Sequence, residues 1–238
     1  MLRALWALMI LPGLSTQQRT GEPPQLPPSI LERVYAGHDS RTGLVRDDTG
    51  LRTPRLIREQ PLGDGAVRLL LVARFPVDPA LRIRDGGADS KPFDLVLVNG
   101  SGEPVATGLN LFQFDGHSGI KVDVQPYPNL RGRPLVGILD QHVQNGVDGW
   151  TLHLVRLTPV IHTVLRVPAL FSDCGAPLRE LYPDRIRKKA EVVFSEGGST
   201  RVDVRFLEQT CEGKEIRRTA QSYIWNERLG EYSPITAR

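Results

Sequence analysis

From Gly65 onward, the chain is a succession of short apolar segments separated by residues that favour turns. Each segment is rich in Val, Ile, Leu or aromatic residues and is bounded by Gly, Pro, Asn or Asp, the pattern that predicts β-strands joined by turns. The segments are AVRLLLVARF, FDLVLV, LNLFQFD, IKVDVQ, LVGILDQHV, WTLHLVRL, VIHTVLRV, AEVVFS, TRVDVRFLEQ and IRRTAQSYIW. A chain built in this way is predicted to be all-β, with minimal helix.

These segments are of two kinds, and the difference predicts the layers of the fold. From Ile120 to Gln125 apolar and polar residues alternate strictly, as they do in a half-buried strand of an antiparallel sheet. VRLLLVARF and FDLVLV are apolar on both faces, so they should lie between two layers. Strand lengths and turn spacings are uneven, which favours an antiparallel β-sandwich, or two small packed β units, over a closed barrel.

The domain organisation is predicted from the same pattern. Residues 29–61 read as a loop-rich N-terminal segment, and residues 62–168 as a β domain. Residues 169–238 form either a second β domain or an extension of the same sheet system, with a boundary near Pro168. The best helical candidate, APLRELYPDRIRKKA, is interrupted by Pro183 and gives one or two turns at most.

The first fifteen residues have the layout of a secretory signal peptide. A charge at Arg3 precedes an apolar run, and small residues at Gly13 and Ser15 stand before the expected cut after Ser15. Residues 16–28, polar and rich in proline, then read as an extended tether. A buried N-terminal helix is the alternative. No apolar run is long enough to span a bilayer, so the mature chain is predicted to be secreted or periplasmic, without a membrane span.

The chain contains two cysteines, Cys174 and Cys211. In an exported protein an even number of cysteines predicts a disulfide, which would staple the C-terminal part of the chain. A zinc pair is the alternative, but the spacing is not CxxC and no histidine lies between the two cysteines.

The charge pattern predicts no nucleic-acid partner. The formal net charge of +3 arises from interspersed basic and acidic residues, and only RIRKK, from Arg185 to Lys189, is locally dense. Nucleic-acid binding needs cations gathered on one face, so this run is predicted to be a solvated loop or the end of a strand.

Motifs for catalysis or for cofactors do not emerge from the sequence. GHSGI lacks the second glycine of a GxSxG elbow, and GDGAVR lacks the spacing and the lysine of a P-loop. No catalytic residue and no cofactor are therefore assigned. Asp47 with Asp48, and Asp85 with Asp89 and Asp94, lie in Asp- and Gly-rich stretches that could hold calcium but are more typical of turns.

The hairpin from Trp150 to Val167 carries one histidine in each strand, His153 and His162. A turn centred on Thr158 and Pro159 would place both imidazoles diagonally on one side, the less apolar one, towards solvent or a second layer. Asp140 and His142 could add ligands from a neighbouring strand, since residues two apart share a face. Zinc needs three or four converging ligands, so we expect partly exposed structural histidines, replaceable by glutamine, and no metal site.

Taken together, these features favour an exported β-rich binding or interaction protein, with a protein or glycan as its unidentified partner. Glycan binding would need an exposed aromatic platform, for which Trp225 in the terminal hairpin is the candidate, although burial against a sheet is the more ordinary arrangement. The alternative function is a secreted or periplasmic hydrolase whose site is assembled from loops.

Overall fold

The computed structural model describes residues 24–48, 50–63, 65–80, 82–83, 91–114, 121–130, 133–144, 147–175, 185–195 and 200–235. Within these ranges the chain forms one short helix and thirteen strands in two antiparallel sheets, which confirms the all-β prediction. The described residues contain no helix that is both long and apolar enough to cross a membrane. The predicted signal peptide, residues 1–15, lies outside the described residues.

The first sheet is a five-stranded meander, so each strand pairs with the next one along the chain. Its strands are β1 (Val45–Asp47), β2 (Gly50–Leu62), β3 (Val67–Pro76), β4 (Lys91–Val98) and β5 (Pro104–Phe114). Strands β3 and β4 are buried on both faces, as their doubly apolar sequences predict. They therefore form the middle layer of this part of the molecule.

Helix α1 (Pro28–Val34) covers the outer face of the first sheet. Pro28 stands in the first turn, where a missing N–H costs nothing, and Ile30, Leu31 and Val34 project from one face of the helix into the core. Of the predicted tether, residues 16–23 lie outside the described residues. The last part lies against the sheet, because the amide of Leu56 donates to the carbonyl oxygen of Pro24 at 2.9 Å.

The second sheet has eight strands, again in chain order. Its strands are β6 (Lys121–Leu130), β7 (Arg133–Gln144), β8 (Val147–Arg156), β9 (His162–Ser172), β10 (Ile186–Phe194), β11 (Arg201–Thr210), β12 (Glu215–Asn226) and β13 (Glu231–Pro234). One face of β7 and β8 packs on the first sheet and completes a sandwich, with Phe93, Leu95 and Ile138 fully buried between the layers.

The far part of the second sheet curls over the other face of β8 and encloses a second core. Leu152 and Leu154 of β8 lie in this core together with Ala190, Val204 and Tyr232 from β10, β11 and β13. The expected domain boundary at Pro168 falls inside β9, which pairs with both β8 and β10. The hydrogen-bonded ladder thus continues across it, and the C-terminal strands extend the same sheet.

The disulfide joins Cys174, just after β9, to Cys211, just after β11, as the sequence predicts. The bond links the chain leaving β9 to the turn between β11 and β12. It ties together one end of the sheet that carries β9 to β12.

Candidate functional site

The predicted pair of histidines is not formed, because the β8–β9 register differs by one residue from the expected one. His162 pairs with Arg156 rather than with Val155. A slip of one residue moves a side chain to the other face of a strand, so His153 and His162 lie on opposite faces of the hairpin. The expectation of a diagonal pair is therefore wrong.

His153 lies in the core between the two sheets, where it is 1% exposed, and the expectation that it is partly exposed is also wrong. Its Nε2 atom lies 3.2 Å from Oδ1 of Asp140, and its ring stacks on Phe112 with ring centres 4.4 Å apart. The second layer that the sequence allowed on this side of the hairpin is the first sheet. Of the four candidate ligands considered from the sequence, the structure brings together Asp140 and His153.

His162 links the connection between β8 and β9 to the turn between β12 and β13. Its Nδ1 atom lies 3.1 Å from the carbonyl oxygen of Val160, and its Nε2 atom lies 3.0 Å from that of Gly230, in the turn between β12 and β13. The backbone of His142 pairs with that of Gly149 in β8. The side chain of His142 lies outside the described part of the structure.

A cluster of charged side chains, which sequence reasoning missed, lies beside α1 on the outer face of the first sheet. Asp94 is fully buried and accepts hydrogen bonds from the Tyr35 hydroxyl at 2.7 Å and from the Asn110 amide at 2.8 Å. Nε of Arg74 lies 2.9 Å from the Asp94 carboxylate, an ion pair whose N–H is not aimed straight at the oxygen. The signal was present in the sequence, because Arg74 and Asp94 interrupt otherwise apolar strands.

The cluster continues to the edge of the sheet, where two arginines balance the charges of two aspartates. Arg74 and Arg52 both reach Oδ2 of Asp47, at 3.0 and 2.9 Å, and Arg74 also donates to the side-chain oxygen of Asn110. Arginines at these distances neutralise both carboxylates and would repel a cation. Asp47 and Asp94 thus fit an ion-pair network better than the calcium site considered from the sequence; Asp85 and Asp89 lie outside the described residues.

Protonation in this cluster follows from its burial. Burial raises the pKa of the Asp94 carboxyl, and the neighbouring Arg74 guanidinium offsets part of that effect. Burial, together with the charge of Asp94, also raises the pKa of the Tyr35 hydroxyl, which therefore remains a donor. The cluster is an internal network of ion pairs and hydrogen bonds, and its contact with Tyr35 ties the end of α1 to the sheet.

Asp173, Cys174 and Cys211 form another group of potential metal ligands, but the disulfide makes both cysteines unavailable to a metal. The ligand atoms of Asp173, Cys174 and Cys211 lie within 4.8 Å of one another. Both sulfurs are bonded to each other, so neither is a thiolate that could bind zinc.

Aromatic residues of the terminal hairpin face inwards. Trp225 packs in the second core and meets Tyr232 edge-on at 5.4 Å, while the guanidinium of Arg156 lies 5.5 Å from its ring centre. Tyr232 is itself buried. These two rings therefore do not form a flat platform that a sugar could stack on.

Within the described ranges β5, β6 and part of β12 each pair with a neighbour on one side only, and we consider the outer edge of β12 because of the charges around it. Strand β12 has 12 residues, whereas β13 has four and pairs with Tyr223–Asn226. The Ile235 amide donates to the carbonyl oxygen of Ser222 at 2.8 Å, one residue further along. Within the described ranges no strand pairs with the outer side of residues 215–221, which we call the open edge.

The backbone of the open edge presents hydrogen-bonding groups to the outside. In an antiparallel strand the N–H and C=O groups of one residue point to the same side, and alternate residues point to opposite sides. Because the carbonyl of Ser222 points towards β13, the groups of Ala220 and Arg218 point outwards. The side chains of Arg217, Arg218 and Ala220 are exposed along this edge.

Cations gather around the open edge. Residues 185–189 and 207–218, which we call the basic end, contain seven cationic side chains and three carboxylates. The run RIRKK lies here, at the start of β10, as the strand-end alternative predicts. In the part of the chain that the structure describes, no carboxylate lies within 4.0 Å of Arg187, Lys189, Lys214 or Arg217.

Compared with protein-family models, with curated proteins and with solved structures, the chain matches none of them.

Proposed function

We propose that this protein is an exported binding protein that holds its partner along the open edge of β12. The observation that carries the proposal is the outer side of residues 215–221, which pairs with no strand of the described ranges and along which the backbone groups of Arg218 and Ala220 point outwards. A row of unpaired N–H and C=O groups is a template on which another chain can build a strand, and many recognition domains use such an edge.

Two further features support the export part of the proposal. The first fifteen residues have the composition of a signal peptide. The Cys174–Cys211 disulfide is compatible with an oxidising compartment outside the cytosol, where such bonds persist.

Site-specific photo-crosslinking in the full chain tests the binding surface. A photoreactive side chain is placed at Arg218, on the open edge, or at Arg228, which is also exposed and lies in the turn after β12. We expect a discrete adduct with a partner of the producing cell from position 218 and none from position 228. Adducts that are equal at both positions, or absent at 218, would contradict the proposed surface.

A secreted or periplasmic hydrolase is the second candidate, because the contact between Asp140 and His153 resembles the pair that orients a catalytic imidazole. Burial argues against it, since His153 is 1% exposed and is covered by the ring of Phe112. We expect no turnover of p-nitrophenyl esters by the purified protein. Turnover that disappears in Asp140→Asn while the fold persists would establish the hydrolase.

A further inference from the structure

We propose that the partner presents an extended peptide segment with two adjacent acidic residues, which adds to the sheet as a new strand beside β12. The inference rests on the proposed function and names the chemistry of the partner. It is carried by three features of the open edge: its outward backbone groups, the two arginines at its centre and the excess of cations in the basic end.

The backbone supplies the geometry of pairing. The groups of Arg218 and Ala220 point away from β11, two residues apart, which is the repeat at which an antiparallel neighbour exchanges pairs of hydrogen bonds. An extended peptide supplies the complementary groups at the same repeat. A folded surface without an open strand does not.

Side chains on the concave face of the sheet favour an acidic residue opposite Arg217. Lys188, Glu208 and Arg217 lie in one row across β10, β11 and β12, with the Lys188 ammonium 3.4 Å from Glu208. The charges along this row alternate. A carboxylate on the added strand opposite Arg217 would continue that alternation, and opposite charges facing each other across strands stabilise a sheet.

The next row, on the convex face, favours a second acidic residue. Lys189, Leu207 and Arg218 form this row, in which two cations flank an apolar residue. Arg218 already contacts Glu215 on its own strand at 2.7 and 2.8 Å, but both side chains are exposed and such a pair contributes little. Because Arg217 and Arg218 are adjacent, their partners on the added strand are adjacent too.

The same charges disfavour a second copy of this chain as the occupant. Edge-to-edge pairing of two copies would bring the basic end of one towards that of the other, and cationic edges are a common protection against self-association. An acidic glycan would satisfy the arginines but has no extended backbone of regularly spaced amides to pair with Arg218 and Ala220. This difference separates the two partner classes experimentally.

The test uses the full mature chain with its disulfide intact and a capped, fluorescently labelled peptide of eight residues. Two adjacent glutamates in the peptide are flanked on each side by alternating threonine and valine; the control peptide carries glutamines instead. Fluorescence anisotropy is measured at low salt and at about 0.15 M salt, where exposed charge pairs are more strongly screened.

Three variants separate the contributions of charge and backbone. The double variant Arg217→Glu, Arg218→Glu reverses the charge of the edge, and Ala220→Pro removes an outward N–H without removing a bond to β11. Arg228→Glu reverses a charge in the turn after β12 and serves as the control. We expect binding at least about tenfold weaker for the first two variants and unchanged within about twofold for the control.

Amide hydrogen exchange supplies a readout that does not depend on the proline variant folding. The peptide should slow exchange at Arg218 and Ala220 and leave the amide of Thr219, which faces β11, unchanged. A peptide with two lysines should bind the charge-reversed variant and not the wild type. Both results would support strand addition.

Other outcomes would overturn the inference and would show whether the partner or the binding surface is wrong. Peptide binding that survives Ala220→Pro, or leaves exchange at Ala220 unchanged, would show contact through side chains alone. Binding of heparin but not of the peptide, abolished by the charge reversal, would replace the peptide with an acidic glycan and leave the surface standing. Absence of peptide binding together with absence of a crosslink from position 218 would overturn both the partner and the proposed function.

Discussion

Gly108 in β5 and Ile161 in the connection between β8 and β9 pack so closely that a Cβ on Gly108 would lie 2.7 Å from Cγ2 of Ile161. Ile161 is buried in the core between the sheets. Ile161 lies outside the β9 ladder, and the next residue, His162, is the first of β9 and pairs with Arg156. The contact between Gly108 and Ile161 thus lies next to His162, in the hairpin that carries both histidines.

Gly108→Ala should destabilise the protein. The added methyl group would also lie 2.8 Å from the backbone oxygen of Ile161, which cannot turn away as a flexible side chain could. Overpacking of this kind costs about 1–3 kcal/mol of unfolding free energy, measurable by urea denaturation. Gly100→Ala is the control, because its nearest neighbour would lie at an ordinary 3.5 Å, and an equal loss in both variants would refute the packing argument.

His153→Gln and His162→Gln should differ in their effect on stability, contrary to the expectation from the sequence that both are neutral. His153 is buried against Phe112 and Asp140, so its replacement leaves a poorly paired carboxylate and should cost about 1–3 kcal/mol. His162 is half-buried and contacts two backbone oxygens, and its replacement should cost less than about 1.5 kcal/mol. Urea denaturation of the two single variants measures the difference; equal losses would contradict these placements.

Asp94→Asn should change how stability depends on pH. Because burial raises the pKa of Asp94 in the folded protein above its unfolded value, the folded state holds the proton more tightly. The stability that this proton contributes is present in acid and is lost as the pH rises through the folded pKa. The wild type should therefore lose stability relative to Asp94→Asn as the pH is raised from about 4 to about 8.

Asp203→Asn is the matched control, because the pKa of Asp203 is shifted in the opposite direction to that of Asp94. Hydrogen bonds from Ser222, at 2.6 Å, and from Arg201 hold the pKa of Asp203 below its usual value. Its contribution is present above the unfolded pKa and is lost as the pH falls. Thermal melts from about pH 2 to about pH 8 should thus show opposite trends for the two variants relative to the wild type, with the effect of Asp203 below about pH 4 and that of Asp94 above it. Parallel trends would refute the assignment.

Removing the disulfide should destabilise the C-terminal part of the sheet. The bond closes a loop with a sequence separation of 37, for which the loss of loop-closure entropy in the unfolded chain amounts to about 4 kcal/mol. The double variant Cys174→Ser, Cys211→Ser should unfold at lower denaturant concentration. Free thiols titrating in the denatured, unreduced wild-type protein would show that the bond is absent.

The mature protein should begin at Thr16. Cleavage after Ser15 removes the apolar run and Arg3, as expected for a signal peptide. The intact mass of the exported protein measures this directly. Recovery of the uncleaved chain from the extracellular or periplasmic fraction would contradict it.

The strand pattern predicted the fold class and the layering well. The doubly apolar segments became β3 and β4, buried on both faces, because a strand with no polar face must be covered twice. The boundary near Pro168 was harder to judge, since proline ends or bends a ladder only where its missing N–H is needed. Here Pro168 lies beside an irregularity in the pairing of β8 with β9, and the sheet passes through it.

The sequence by itself determined the composition of each strand, the number of apolar faces and the two cysteines available for pairing, because these depend on local periodicity and on residue identity. The tertiary structure decided the register at His162, the burial of His153 and the meeting of Arg74 with Asp94, because a shift of one residue reverses every face of a strand at little local cost. It also decided how much of the outer side of β12 stays without a partner strand within the described ranges. That depends on where β13 runs out beside β12, a relation between two strands that neither segment specifies alone.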